Sequence, residues 1–331
     1  MTKNISIIGD GGWGTALSVV LTNNGHKVTV WGPFPDYIDA VIKNRENKTY
    51  LPGVKLPDKI KWTGDRKYAV ENPDLIVLAV PTKYFRQVLE SFAGLMPAGC
   101  PVLSVSKGLD QKTHKRMTQI TSEITGERPV AALSGPSHAE EVARNIPTAI
   151  VAASEDQAFC REIQKIFTNR YFRVYTADDV AGVELGGALK NIVAIAVGVS
   201  DGLGFGDNTR AALITRGLAE ITRLGCAYGA KAATFAGLSG MGDLITTCTS
   251  RHSRNRAVGE RLGKGEKIDD ILRSMKQVAE GVWNCAIAHE MAQTAAVKTP
   301  ITGEVYAILH KGKNPLDSVR SLMEREVKPE I

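Results

Sequence analysis

The feature that most constrains this chain is Gly9-Asp-Gly11-Gly12-Trp13-Gly14, a G-x-G-x-x-G that closes the strand-like run Ile5–Gly9 and opens the helix-like stretch Thr15–Asn23. Gly9 permits a tight turn, Gly11 lets the backbone approach a pyrophosphate, and Gly14 lets helix and strand pack closely, with the helix N-terminus facing the anion. The strand-then-helix context turns a mere glycine-rich turn into a prediction of dinucleotide binding. The second half of that fingerprint is missing. The strand Lys27–Trp31 runs into Gly32-Pro33 without the carboxylate that holds a ribose 2′-hydroxyl, and Asp36 lies beyond two prolines. No Lys or Arg stands between Lys27 and Lys43 to meet a 2′-phosphate. The expectation is therefore use of NAD or NADP, with a preference below about tenfold.

Further strands are predicted at Leu75–Val80, Val102–Ser106, Val130–Leu133 and Thr148–Ala152, with helices at Lys83–Phe92 and Gln157–Phe167. Uninterrupted apolar runs such as Leu75–Val80 imply strands buried on both faces, hence a parallel sheet covered by helices. After about Thr176 the texture changes: Val180–Val199, Asp207–Leu224, Arg256–Leu262, Glu280–Thr294 and Pro300–Leu309 all read as helix. The predicted fold is α/β, a Rossmann-type doubly wound sheet over 1–178 followed by an all-α domain over 179–331, with residues 324–331 expected to fray.

Composition narrows the function. A chain of 331 residues with 43% hydrophobic and 23% charged residues has the make-up of a globular protein. The net charge of +6 suits a small anionic ligand, while interspersed charges and 6% aromatics argue against nucleic acid. Five scattered cysteines and six histidines form no metal-ligand spacing, so no metal site is expected and a reducing compartment is. Met1 leads straight into a strand, and the longest apolar run, Ile192–Val199, is short for a bilayer. A cytoplasmic protein without a membrane span is the expectation.

Lys190 is a lone cation in the otherwise small and apolar stretch Val180–Val199. Either it snorkels to solvent or pairs structurally, for example with Glu184, or desolvation lowers its pKa and makes it a proton donor, as carbonyl reduction requires. Ser106-Lys107-Gly-Leu follows a strand C-terminus, where open α/β sheets bind ligands. Ser137 and Glu140 have capping-box spacing in Ser134-Gly135-Pro-Ser137-His-Ala139-Glu140. Asp243 in Gly240-Met-Gly-Asp243 is either an N-cap or a group that orients Lys190. Ser253, Arg254 and Asn255 combine a candidate N-cap with donors suited to a phosphate monoester, against the alternative of a solvated basic loop. Cys248 has no histidine motif to activate it and reads as packing.

Together these segments resemble the bacterial NAD(P)-dependent glycerol-3-phosphate dehydrogenase family: GDGGWGTAL, SKGL, SGPSHAEE, GVELGGALKN, GLSGMGDLITTCTS, SRNR and VAEG occur in the family's order across nearly the whole chain. The resemblance implies reduction of dihydroxyacetone phosphate to sn-glycerol 3-phosphate for phospholipid synthesis, by a homodimer. It implies Lys190 as the catalytic acid/base, with Lys107 touching coenzyme and substrate. Gly135, Ser137, Asp243, Ser253, Arg254 and Asn255 fall at substrate positions, and Gly12, Trp13, Ala139, Arg254, Val278 and Glu280 at coenzyme positions. Pro33 departs from the Arg or His that many members carry there. A β-hydroxyacid dehydrogenase and a dinucleotide sensor without turnover remain as alternatives. The first would need no phosphate seat, and the second would have no reason to keep Lys190, Asp243 and Arg254 together.

Overall fold

The computed structural model describes residues 1–275, 277–327 and 329–330. Eight strands form one sheet: β1 (Asn4–Ile8), β2 (Lys27–Trp31), β3 (Lys61–Thr63), β4 (Leu75–Leu78), β5 (Val102–Ser104), β6 (Val130–Ser134), β7 (Thr148–Ala153) and β8 (Phe172–Ala177). Their order is β3-β2-β1-β4-β5-β6-β7-β8. Ile5 lies opposite Leu75 and Ile8 opposite Leu78, so β1 and β4 end together. The chain leaves β1 toward β2 and later returns beside it as β4, making a switch point whose crevice lies beyond the strand C-termini. The β4 side chains are buried on both faces, as the continuous apolar run requires.

Four differences from the sequence reading have physical causes. The sheet is mixed, because β6 and β7 are antiparallel. Only the short helix Ala139–Val142 lies between them, and nothing long enough to carry a crossover over the sheet face. β3 has three residues and carries no apolar run to betray it. β8 alternates buried Phe172 and Val174 with exposed Arg173 and Tyr175, the pattern of an edge strand covered on one face. The predicted strands at Leu75 and Val102 each stop two residues early, where the chain leaves the sheet for the crevice.

The sheet ends at Ala177 and the central helix Val180–Gly202 begins almost at once. Asp179 caps it, accepting the Gly182 N–H at 2.8 Å, and its other oxygen accepts the Lys231 N–H at 2.9 Å. This helix is buried from Gly182 to Ser200, wrapped by Asp207–Ala227, Asp243–Thr249, Arg254–Gly263 and Glu280–Thr294. Among the described residues it is the one helix long and apolar enough to cross a membrane, and 89% of its most apolar window is covered by the protein itself. Of the segment 324–331, residues 324–327 and 329–330 carry no helix or strand, and Lys328 and Ile331 lie outside the described residues.

Candidate active site

The glycine loop builds a cradle. Gly9 has φ of +120°, and a Cβ there would lie 2.5 Å from the Ala79 carbonyl oxygen. A Cβ on Gly14 would lie 2.1 Å from the Gly9 oxygen, and one on Gly12 would lie 2.5 Å from the Tyr50 oxygen and 3.7 Å from the Ala139 Cβ. A Cβ on Gly11 would meet nothing within 4 Å, because Gly11 faces open space at the N-terminus of helix Gly12–Asn23. That is the room a pyrophosphate needs, with free N–H groups at its floor. The residues present therefore fit a dinucleotide. Trp13 lies in the first turn of that helix with its indole Nε1 buried and unpartnered.

Below the strand ends, one carboxylate joins two lysines. Asp243, only 2% exposed, accepts from Lys190 Nζ at 2.5 Å through Oδ1 and from Lys107 Nζ at 2.8 Å through Oδ2. Lys190 also donates to Thr247 Oγ1 at 2.6 Å, and that hydroxyl donates to the Asp243 carbonyl. Asp243 and Thr247 are one turn apart on the helix Asp243–Thr249, so they face Lys190 together. Lys107 donates as well to the Gly135 carbonyl at 2.8 Å and lies 3.4 Å from Ser137 Oγ.

An ammonium has three protons to donate. All three of Lys107 are directed at protein oxygens, whereas Lys190 uses two and keeps one. Burial lowers the Lys190 pKa to about 8, against the opposing pull of the Asp243 charge. Burial alone would raise the Asp243 pKa, but the two ammonium groups hold it below the usual carboxylate value. Two lysines sharing one carboxylate leave a net positive charge at the site, suited to an oxygen that becomes negative during reaction.

The predicted residues fall into distinct sets. Glu184 is not the partner of Lys190: it pairs with Arg116 at 2.6 Å and accepts from Thr118. Asp243 is the first residue of its helix rather than the N-cap, and its side chain is taken by the lysines. No capping box forms at Ser137 and Glu140, because the helix starts later, with His138 at the N-cap, and Ser137 donates to the Gly135 carbonyl at 2.9 Å. Ser253 is an N-cap, its Oγ accepting the Arg256 N–H at 3.2 Å. Asn255 is held between helices, donating to Asn191 Oδ1 and accepting the Gly281 N–H, both at 2.9 Å. Arg256 is bound to Asp201 at 2.6 Å.

Arg254 is different. It keeps exposed surface, and among the described residues it forms no ion pair. Desolvation by the protein packed around its guanidinium lowers its pKa, opposed by the charges of Glu280 and Glu140, and as an arginine it stays ionised. Glu280 reaches across to the first half of the chain, accepting the Thr82 N–H at 2.9 Å and the Thr82 hydroxyl. Burial raises its pKa. Val278 lies half-buried just before this helix. Cys248 is wholly buried and its thiol pKa is pushed up to about 12 by burial, which removes it as a nucleophile.

Two residues enter that sequence reasoning did not single out. Thr247 had a signal, its four-residue spacing from Asp243. His138 had none beyond its place in the Ser134–Glu140 turn. Its Nε2 is buried without a partner, and burial together with Lys190 and Lys107 lowers its pKa, so it is neutral near pH 7.

Comparison with known proteins agrees over both halves. Residues 4–160 match the family model described as NAD-dependent glycerol-3-phosphate dehydrogenase N-terminus, and residues 179–320 match its C-terminus counterpart. The chain is 51% identical over 332 residues to glycerol-3-phosphate dehydrogenase (NAD(P)+) of Geobacillus kaustophilus, covering 99% of this chain and 96% of that one. It is 50% identical to the protein of the same name from Moorella thermoacetica, covering 98% and 97%. The crystal structure of glycerol-3-phosphate dehydrogenase from Coxiella burnetii superimposes with a TM-score of 0.95 at 40% identity, covering 98% of this chain and 99% of that one.

Proposed function

The chain belongs to the NAD-dependent glycerol-3-phosphate dehydrogenase family, and on that premise we propose that the cluster around Asp243 reduces the ketone of dihydroxyacetone phosphate to sn-glycerol 3-phosphate, reversibly, with NAD(P)H. The observation that carries this assignment is the count of lysine protons: Lys190 alone has one left for a substrate oxygen. A dinucleotide held by its pyrophosphate in the glycine cradle would supply the hydride from its reduced nicotinamide ring.

The protein's own groups supply the rest. Lys190 gives its free proton to the carbonyl oxygen as that oxygen gains charge, and a pKa of about 8 places the donor near working pH. Lys107 acts as a fixed charge and a positioning residue, since its protons are already bound. Asp243 holds both lysines at one point, and Thr247 fixes the direction of Lys190. Arg254, with the N-terminus of its helix, takes the phosphate monoester. Ser253 shapes that N-terminus and Asn255 fixes it to neighbouring helices, so their side chains position the seat more than they fill it. Residues 1–178 serve as the coenzyme unit and 179–331 as the substrate unit, bridged by Glu280 and Thr82.

We place the enzyme in the cytoplasm as a homodimer supplying phospholipid synthesis. All five cysteines are free, which supports a reducing compartment. Sedimentation of the purified chain checks the dimer. The activity is checked by coenzyme oxidation with dihydroxyacetone phosphate and its unphosphorylated analogue, and by coenzyme reduction with simple β-hydroxyacids. Turnover of the phosphorylated ketone far above that of its unphosphorylated analogue is expected, and turnover of hydroxyacids in its place would refute the assignment.

A further inference from the structure

Rossmann-type sites usually hold the adenosine ribose with a carboxylate at the end of the second strand. Here β2 ends at Trp31, followed by Gly32 and Pro33, and the nearest acid, Asp36, is exposed in the first turn of helix Pro35–Asn44. Another carboxylate occupies that place. Asp10, inside the glycine loop, is 7% exposed, and its Oδ2 is buried with no hydrogen-bond partner. A Cβ placed on Gly32 would lie 2.4 Å from Asp10 Oδ2 and 2.6 Å from its Cγ. The carboxyl group of Asp10 thus fills the position where a β2-end side chain would begin. Gly32 is the residue that leaves it room.

We propose that Asp10 is the acceptor for the adenosine ribose hydroxyls and makes this enzyme prefer NADH to NADPH. The inference rests on the coenzyme reading above. The group is held in place from behind: its backbone carbonyl accepts from Asn47 Nδ2 at 2.7 Å and Thr15 Oγ1 at 3.3 Å. Burial pushes the carboxyl pKa up to about 6, so it is mostly ionised at neutral pH yet lacks a hydrogen-bond donor for Oδ2. Ribose hydroxyls supply donors. A 2′-phosphate supplies more negative charge, and among the described residues no cation is paired with Asp10 to offset it. Near-parity between the two coenzymes, expected from β2 alone, is replaced by a preference for the unphosphorylated ribose.

The test is direct binding to the substrate-free protein, reading dissociation constants for NADH and NADPH by fluorescence titration. Wild type is expected to bind NADH about tenfold more tightly or better, within what a hydrogen bond to a charged group supplies. Asp10→Asn should bring the ratio close to one, weakening NADH and tightening NADPH, with a melting temperature no lower than that of wild type, because the unpaired buried charge is gone. A triple variant, Asp10→Gly with Gly32→Asp and Ile38→Val, the last because a Cβ on Gly32 would also lie 2.7 Å from Ile38 Cδ1, moves the acid to the β2 end and should restore the NADH preference. It also carries the test should Asp10→Asn fold poorly. An unchanged ratio in Asp10→Asn, equal weakening of both coenzymes, or no NADH preference in the triple variant overturns the proposal. Binding of neither coenzyme by wild type would overturn the coenzyme reading itself, and this inference with it.

Discussion

Replacing Asp243 with Asn removes the one charge that two lysines share. In the folded protein Asp243 lies 2.5 Å from Lys190 and 2.8 Å from Lys107, with the Lys190 side chain 6% exposed and that of Lys107 19%. Breaking a buried ion pair leaves an uncompensated charge and costs about 3–5 kcal/mol. Lys190 carries most of that cost, because solvent screens Lys107 more effectively. The kinetic consequence follows from the sign of the coupling. Burial lowers the Lys190 pKa to about 8 and the Asp243 charge opposes that, so removing the charge lowers the pKa further. On the proposed role of Lys190 as proton donor, reduction needs it protonated, so wild-type kcat/KM for reduction should be level below about pH 8 and fall above it. In Asp243→Asn the falling limb should move to lower pH, and reduction near neutral pH should drop by roughly 10²-fold or more. Denaturant melts measure the stability loss, and pH profiles with saturating coenzyme measure the limb. A variant whose reductive limb stays near pH 8 would refute the argument that Asp243 sustains the acid.

Arg254→Ala should cost roughly 1.5–3 kcal/mol in kcat/KM for dihydroxyacetone phosphate and leave the poor turnover of dihydroxyacetone nearly unchanged. Equal loss on both ketones would place Arg254 in the fold or the coenzyme site. Gly11→Ala should melt like wild type, because its Cβ meets no protein atom, yet bind coenzyme much more weakly. Gly14→Ala should lower the melting temperature, because its Cβ would press on the Gly9 oxygen. Coenzyme titrations and thermal melts on both variants separate cradle from scaffold.

What the sequence reveals here is what is local. The glycine loop is legible because its meaning depends on neighbours in the chain, and Lys190 because a cation in an apolar helix has few explanations. Its partner is not legible in the same way: Asp243 is 53 residues away, and Glu184, nearer in sequence, faces Arg116 instead. The capping-box spacing at Ser137 misleads because the helix begins one residue later than that motif assumes. Asn255 reads as a phosphate donor from its neighbours Ser253 and Arg254, and what the sequence does not show is its anchoring to Asn191 and Gly281. β3 and β8 escape notice because a short or edge strand needs no continuous apolar run. The missing acid after β2 is visible in sequence, but its replacement by Asp10 is not, since only folding brings Gly32 against that side chain.

The central claim is that the free proton of Lys190 goes to the substrate oxygen. Lys190→Met removes that proton and keeps the buried, unbranched shape of the side chain. Steady-state turnover with dihydroxyacetone phosphate, beside a coenzyme titration of the same variant, tests this directly. The account predicts a kcat lower by about 10²- to 10⁴-fold with nearly unchanged coenzyme affinity. A variant that retained half or more of the wild-type kcat would contradict it.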